Sequence, residues 1–552
     1  MRKSSYPFKT MSEQQKTKTK QKSLLAAAFS LSFFTLLSRI LGLVREMTKA
    51  KFLGTSIYAD AFVIAFMIPN LFRRLFAENS ISVAFIPTFK GYLEDTSESG
   101  IKSTKEFVSA TLTLVTFLTS IVVVVGIICT PLLIPLFYDG NNPETITETT
   151  ILTRIMFPYL FVISIAAFFQ GILNGVKIFS PSGFTPVLFN AIVIAATYIL
   201  SPFTENPARA MSVGVMAGGC VQALFQLPFV VRAKWWCGFS SIKRAFTNPG
   251  TRKVLRLIAP TILGMACYQL NDVVSTALAG NAGEGIVSSL QYSLRLQELI
   301  LGIFAVSIGS VILPDLSGLA KREEWTEFSE MLSQAVKIIA LISIPTTFFS
   351  LITGKEIISL VYKSRSFDDS SVVLTLTAFQ FHIAGLFFIA LNRIVAPAFY
   401  AQGDTKSPTI AGIIGFAVNI ALAFVMVSTL SGKEAGGGIA LALSAASFVN
   451  SVALFAFLKK KGNLDFKAIA AGTVAYSAKL VVLSLAASVP TYFLHGFATK
   501  LFDGSAAGGS RLVSFGIPLA MSAVCYGAVG IALLFVTKDE ILKALLKKIR
   551  RQ

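Results

Sequence analysis

Leu114-Val115-Thr116-Phe117-Leu118-Thr119-Ser120-Ile121-Val122-Val123-Val124-Val125-Gly126-Ile127-Ile128-Cys129 is the middle of an apolar run covering residues 106–137. About twenty helical residues cross the roughly 30 Å hydrocarbon core of a bilayer, so this run is long enough to span it. It shows no period-two alternation, which excludes the strand of a membrane β-barrel. Outward from it, the same criterion gives fourteen candidate helices, at 24–48, 55–79, 106–137, 150–175, 182–201, 209–231, 254–279, 285–313, 330–353, 370–400, 407–430, 437–458, 467–495 and 512–537. The composition agrees: 552 residues, 54% hydrophobic and 14% charged, with mean hydropathy +0.68. That is far more apolar than a soluble globular chain. The 47 Phe suit lipid-facing and interhelical surfaces. The expected fold is an all-α integral membrane protein.

Charge orients it. Residues 1–23 hold Arg2, Lys3, Lys9, Lys16, Lys18, Lys20 and Lys22 against Glu13, and no small-residue cleavage site follows the first apolar run. They read as a retained basic tail, not a signal peptide. The linker 232–253 contains Arg232, Lys234, Lys243, Arg244, Arg252 and Lys253 with no acid, and the end 538–552 is also basic. The loop after the third run holds Asp139 and Glu144 without Lys or Arg. Cytoplasmic loops collect Lys and Arg, so both termini are expected in the cytoplasm and the acidic loop outside. Fourteen spans satisfy the even count this demands. Topology and attraction to anionic headgroups explain much of the net charge of +20, and no nucleic-acid partner is expected. The five Cys lack C-x-x-C spacing and the two His lie far apart, so neither disulfides nor a metal site is expected.

A repeat recurs at about 227 residues. Phe76-Ala77-Glu78-Asn79-Ser80-Ile81-Ser82-Val83-Ala84-Phe85-Ile86-Pro87 compares with Phe304-Ala305-Val306-Ser307-Ile308-Gly309-Ser310-Val311-Ile312-Leu313-Pro314, and Ser180-Pro181 with Ser407-Pro408. Copies offset by six helices keep one orientation, which predicts two parallel six-helix lobes, 24–231 and 254–460, plus two C-terminal helices within 461–537. A substrate would sit between such lobes as they rock to expose it on alternate sides.

Charges inside apolar runs mark the candidate site. A guanidinium in hydrocarbon costs at least about 2.5 kcal/mol, so Arg39, Arg45, Arg73, Arg74 and Arg295 need a reason to be there. Arg39 is some fifteen residues into its run, about 22 Å deep, too far to snorkel easily. Arg295 sits near the middle of the eighth run. Arg45 and Arg73 lie nearer the boundaries, where topology alone also accounts for arginine. Anion binding is the role these positions suggest. The acids Glu46, Asp60, Glu78 and Glu298 read as charge balance or gates, Asp272 and Asn419 as candidates for ion coupling, and Gly42 as a hinge in the first helix.

Ser38-Arg39-Ile40-Leu41-Gly42-Leu43-Val44-Arg45-Glu46, Ala59-Asp60-Ala61-Phe62, Ile68-Pro69-Asn70-Leu71-Phe72-Arg73-Arg74-Leu75-Phe76-Ala77-Glu78 and Ala84-Phe85-Ile86-Pro87 resemble the MurJ (MviN) family. Phe157-Pro158-Tyr159, Gly171-Ile172-Leu173-Asn174, Pro260-Thr261-Ile262-Leu263-Gly264 and Ala396-Pro397-Ala398-Phe399-Tyr400 follow in order. Around Arg295 the chain departs from the family pattern, reading Ser293-Leu294-Arg295-Leu296-Gln297-Glu298-Leu299 without an acid just before the arginine. Glu298, one turn on, is the available partner.

The resemblance implies fourteen helices and a lipid II flippase of peptidoglycan synthesis, within the multidrug/oligosaccharidyl-lipid/polysaccharide exporter superfamily. The expected activity is movement of an undecaprenyl-pyrophosphate-linked precursor from inner to outer leaflet by alternating access, in the bacterial inner membrane. Arg39, Arg45, Arg73 and Arg295 would bind the pyrophosphate, because guanidinium forks match phosphate oxygens. No enzyme chemistry and no cofactor are expected; membrane potential or an ion gradient would drive the cycle. Cell-wall synthesis enzymes are the partners such a role suggests. A flippase for another polyprenyl-linked oligosaccharide and an ion-coupled drug antiporter of the same superfamily are the alternatives.

Overall fold

The computed structural model describes residues 33–78, 81–138, 143–502 and 510–543, with side chains except at 76–78, 81–82, 259–268 and 303–311. The described part of every one of the fourteen expected runs falls on helix, and no strand occurs among the described residues. Nine described helices are long and apolar enough to cross a membrane, or ten if Asp369–Ala384 and Leu386–Ala401, bent by 43° at Gly385, form one span.

Helices overrun several apolar runs because polar caps and first turns continue them. The third begins at Glu98, eight residues before the expected start, where the Ser97 hydroxyl accepts the Gly100 N–H at 3.0 Å. The sixth begins at Pro207 behind Asn206, whose side chain accepts the Arg209 N–H at 3.1 Å. The acidic loop expected after the third run is shorter than the gap between the runs, since helix resumes at Pro143. The twelfth helix starts ahead of its expected 437, and Gly436-Gly437-Gly438 lie buried in the first two turns of Gly432–Lys460. The second run is least regular: Ile57–Phe72 is α-helical and Arg73–Glu78 and Ile81–Phe85 are π-helical.

The chain divides into two compact units. The first comprises the described residues up to Thr48, Ile64–Ile134 and Ile146–Ala266. Its core is aromatic: Phe85 lies 5.4 Å from Phe89, 5.6 Å from Phe107 and 4.9 Å from Phe168 between ring centroids. All four rings are buried. Elsewhere small residues allow close helix approach. A Cβ on Gly214 would come within 2.9 Å of the Ala196 Cβ, one on Gly218 within 2.9 Å of the Phe189 ring. Helices Ser180–Leu200 and Pro207–Arg232 thus pack nearly backbone to backbone.

The second unit comprises Lys49–Val63, Pro135–Thr145 and the described residues from Cys267 onward. Residues 49–63 are held there by polar contacts across long sequence separations. Buried Asp60 accepts the Gly285 N–H on Oδ2 and the Ser288 N–H on Oδ1, both at 2.7 Å, capping helix Ile286–Lys321 from a distant part of the chain. The Tyr292 hydroxyl donates to the Gly54 carbonyl at 3.0 Å, and the Lys49 ammonium stands 4.5 Å from the Tyr292 ring centroid. Gly285 has φ +77°, and a Cβ there would lie 2.5 Å from the Thr55 carbonyl oxygen. Glycine is required by both conformation and contact.

Outside the apolar spans, the Lys461 ammonium lies 2.7 Å from Asp404. Together with the Ser407 N–H it holds that carboxyl well below the usual range. A depressed carboxylate stabilises the fold above its unfolded pKa and loses that contribution as pH falls.

Asp60→Ala strands two buried N–H groups at a helix start, each worth about 1–3 kcal/mol. Thermal unfolding of the purified chain should show a clear drop in midpoint for Asp60→Ala and a smaller one for Asp60→Asn, which keeps one acceptor. An unchanged midpoint in Asp60→Ala would show that the cap contributes nothing.

Candidate functional site

The arginines expected to bind an anion are divided between the two units: Arg39, Arg45 and Arg73 in the first and Arg295 in the second. Arg39 and Arg45 stand on the unbroken helix 33–53. Arg39 is exposed, six residues from the half-buried Arg45. The Arg45 guanidinium donates to Glu46 Oε1 at 2.9 Å and lies 5.8 Å from the Phe189 ring centroid. Glu46 is thus the charge partner of Arg45, as expected of an acid beside it. Gly42 lies between Arg39 and Arg45, where an added Cβ would meet only Asn190 Nδ2 at 3.9 Å, an ordinary contact. The same Asn190 amide donates to the Ser38 carbonyl at 3.3 Å, tying this helix to Ser180–Leu200.

Arg73 opens the π-helical turn that follows Ile57–Phe72, and its Nε donates to Asn70 Oδ1 at 2.9 Å. π-Helical turns are frequent where a helix is reshaped to aim a functional side chain. Arg295 projects from Ile286–Lys321 and pairs with Glu298 Oε2 at 2.8 Å across i,i+3, the spacing foreseen for this pair. Both are exposed, at 46% and 54% of the side chain.

Asp60 was expected to balance an arginine or form a gate; its two oxygens instead accept the backbone N–H groups of Gly285 and Ser288. Glu78 lies outside the described side chains. Asp272 is exposed, while its carbonyl accepts the Thr276 hydroxyl at 2.7 Å. Asn419 is buried and donates to Asn271 Oδ1 at 2.7 Å and Ser275 Oγ at 2.9 Å. Thus Asn419 and the helix carrying Asp272 meet, through the residues on either side of Asp272.

Several polar clusters have no counterpart in the sequence reading. Arg209 grips Glu148 with Nε at 2.9 Å and Nη2 at 2.8 Å, and the Asn206 amide adds 2.9 Å to the same carboxylate. Buried His382 meets Ser293 Oγ at 2.7 Å through Nδ1. Glu356 Oε2 lies 3.0 Å from His495 Nε2. Each pairs residues from separate helices, and the signal in the sequence was a lone polar side chain within or beside an apolar run.

An exposed ion pair is worth about 0.5 kcal/mol, whereas a buried carboxylate that loses its partner costs about 1–3 kcal/mol. Arg295→Ala should therefore leave the unfolding midpoint almost unchanged and Arg45→Ala should lower it. Equal, large losses in both would mean that Arg295 is needed for folding.

A family model described as "Lipid II flippase MurJ" matches residues 49–509. The chain is 45% identical over 531 residues to a "Probable lipid II flippase MurJ" of Treponema pallidum (strain Nichols), covering 96% of this chain and 98% of the relative. It is 32% identical over 449 residues to the "Lipid II flippase MurJ" of Burkholderia cenocepacia, covering 80% and 84%. Among solved structures, "Lipid II flippase MurJ, inward closed conformation" superposes with a TM-score of 0.74 at 24% identity, over 93% of this chain and 99% of that one. An inward-facing multidrug resistance MATE family transporter of the MOP superfamily gives 0.64 at 15% identity, over 80% and 98%. These two likenesses concern the fold.

Proposed function

Because the chain belongs to the lipid II flippase MurJ family, we propose that it carries lipid II from the inner to the outer leaflet of the bacterial inner membrane by alternating access. The observation that carries the mechanism is the set of guanidinium groups on apolar helices, held by neighbours on their own helices: Arg45 by Glu46, Arg73 by Asn70, Arg295 by Glu298. A pyrophosphate is a compact polyanion, and the planar fork of arginine can bind its oxygens in pairs. Arg39, Arg45, Arg73 and Arg295 would take the pyrophosphate, while Glu46 and Glu298 balance charge when substrate is absent.

No covalent bond changes in this reading. Fourteen spans with both termini cytoplasmic would arrange the two parallel lobes, and Gly42 would let the first helix bend. Helices Phe466–Phe502 and Ile517–Val536 would accommodate the polyprenyl tail, and the membrane potential or an ion gradient would supply the energy. Asp272 and Asn419 are the residues we assign to ion coupling.

Depletion of the protein should trap lipid-linked precursor on the cytoplasmic leaflet, as read by its inaccessibility to an externally added enzyme or label. Arg39→Ala and Arg295→Ala should each abolish or sharply reduce transport while inserting normally. Arg295→Lys retains charge without the fork and should restore little. Full transport in both alanine variants would eliminate the pyrophosphate clamp, and full transport in Arg295→Lys would reduce it to simple charge attraction.

Orientation is tested separately, with Asn141→Cys and Ser241→Cys in a background lacking native cysteines. An impermeant thiol reagent outside intact cells should label the first and spare the second; the reverse pattern would invert the topology.

A further inference from the structure

The basic segment between helices Pro207–Arg232 and Pro249–Ala282 is fixed to the first unit along its length. The Ser109 hydroxyl donates to the Gly238 carbonyl at 3.0 Å, and the Ser240 N–H donates to Thr113 Oγ1 at 2.8 Å. Trp235 lies 5.4 Å from Phe89 and Trp236 5.9 Å from Phe169 between ring centroids. The short helix Ile242–Thr247 follows and is tied to the start of the next helix. There the Thr251 hydroxyl donates to the Ala245 carbonyl at 2.6 Å, and Arg252 Nε donates to the Phe246 carbonyl at 3.0 Å.

So firmly held, the segment nevertheless turns large apolar side chains outward: Phe239 is 64% exposed, Ile242 49% and Phe246 38%. At about 100° per residue, Ile242 and Phe246 share one side of the short helix, buried Ala245 faces the protein, and Lys243 stands nearly opposite Ala245. Depth is set by Phe246, whose ring centroid lies 6.0 Å from that of Phe117. Phe117 belongs to Leu114–Cys129, the middle of a run long enough to span the bilayer, so Phe246 stands at the edge of the hydrocarbon. Two of the chain's three Trp, Trp235 and Trp236, precede it, and Trp collects at membrane–water interfaces. Arg232, Lys234, Lys243, Arg244, Arg252 and Lys253 are exposed, residues 232–256 contain no acid, and none of these cations makes an ion pair among the described residues.

We propose that this segment is a docking surface for anionic phospholipid: Phe239, Ile242 and Phe246 enter the acyl region of the nearer leaflet, while Lys243, Arg244 and Arg252 take headgroup phosphates. A helix with apolar and cationic sides at the hydrocarbon edge lies in the interface plane, where apolar burial and charge attraction add. The bonds to helix Glu98–Leu133 place the segment before any lipid arrives, so little ordering is left to oppose binding. Arg252 spends only its Nε on the Phe246 carbonyl, which leaves both Nη groups for a phosphate. A soluble acidic partner would meet the charges but could not cover Phe246 beside a spanning helix. The lipid held here belongs to the surrounding bilayer and is not the transported cargo.

Trp325→Phe leaves Trp235 and Trp236 as the only indoles, both in this segment. The full chain with that change, in phosphatidylcholine nanodiscs, is titrated with phosphatidylglycerol or phosphatidylcholine brominated on acyl carbons near the headgroup. Brominated phosphatidylglycerol should quench the tryptophan fluorescence at about one-fifth the mole fraction or less, since one cation beside an anionic headgroup is worth about fivefold. Lys243→Gln with Arg244→Gln should bring the two lipids level, whereas Lys243→Arg with Arg244→Lys should keep the preference. Equal quenching by both lipids, no quenching by either, or an unchanged preference in the glutamine variant would overturn the proposal. So would loss of the preference in inorganic phosphate but not in chloride of equal ionic strength, which would assign the cations to a soluble anion. No arm reads lipid II transport, so failure of the flippase reading leaves this result standing.

Discussion

The carboxylate of Asp60 closes the start of helix Ile286–Lys321, and the placement of residues 49–63 depends on that bond pair. A helix start has N–H groups with no intrahelical acceptor, and in a chain this apolar no water is assured to satisfy them. Supplying both acceptors from one distant side chain solves that problem and fixes where residues 49–63 belong. Gly54, Thr55 and Tyr292 follow from it, because the close approach of these backbones leaves no room for a Cβ at Gly285.

The chain uses two kinds of packing. Aromatic stacking fills the first unit at Phe85, Phe89, Phe107 and Phe168, and small residues bring Ser180–Leu200 and Pro207–Arg232 into contact. Lipid tails are as apolar as these side chains, so close fit and satisfied polar groups, more than exclusion from water, must hold the helices together. The Arg209 to Glu148 fork and the Asn419 amide bonds are the polar part of that fit.

Helix positions were legible because hydrocarbon thickness sets the length of an apolar run. Their ends were not, because Ser97 and Asn206 start helices in polar sequence that hydropathy does not register. The Arg295 and Glu298 pair was legible from i,i+3 spacing and the Arg45 and Glu46 pair from adjacency. Asp60 was readable as a costly acid but not as a cap, since its partners lie 225 and 228 residues away. Glu356 fell just past the expected end of its run and His495 at the end of another. Only the fold brings them together.

The separation between Asp60 and Gly285 also sets a clock. Chains are made at about 5–20 residues per second, so the 225 residues between them take roughly ten to forty-five seconds to synthesise. For that interval the nascent second helix holds a carboxylate whose N–H donors do not yet exist. The biosynthetic machinery must keep this segment in a polar or shielded setting until the eighth helix emerges.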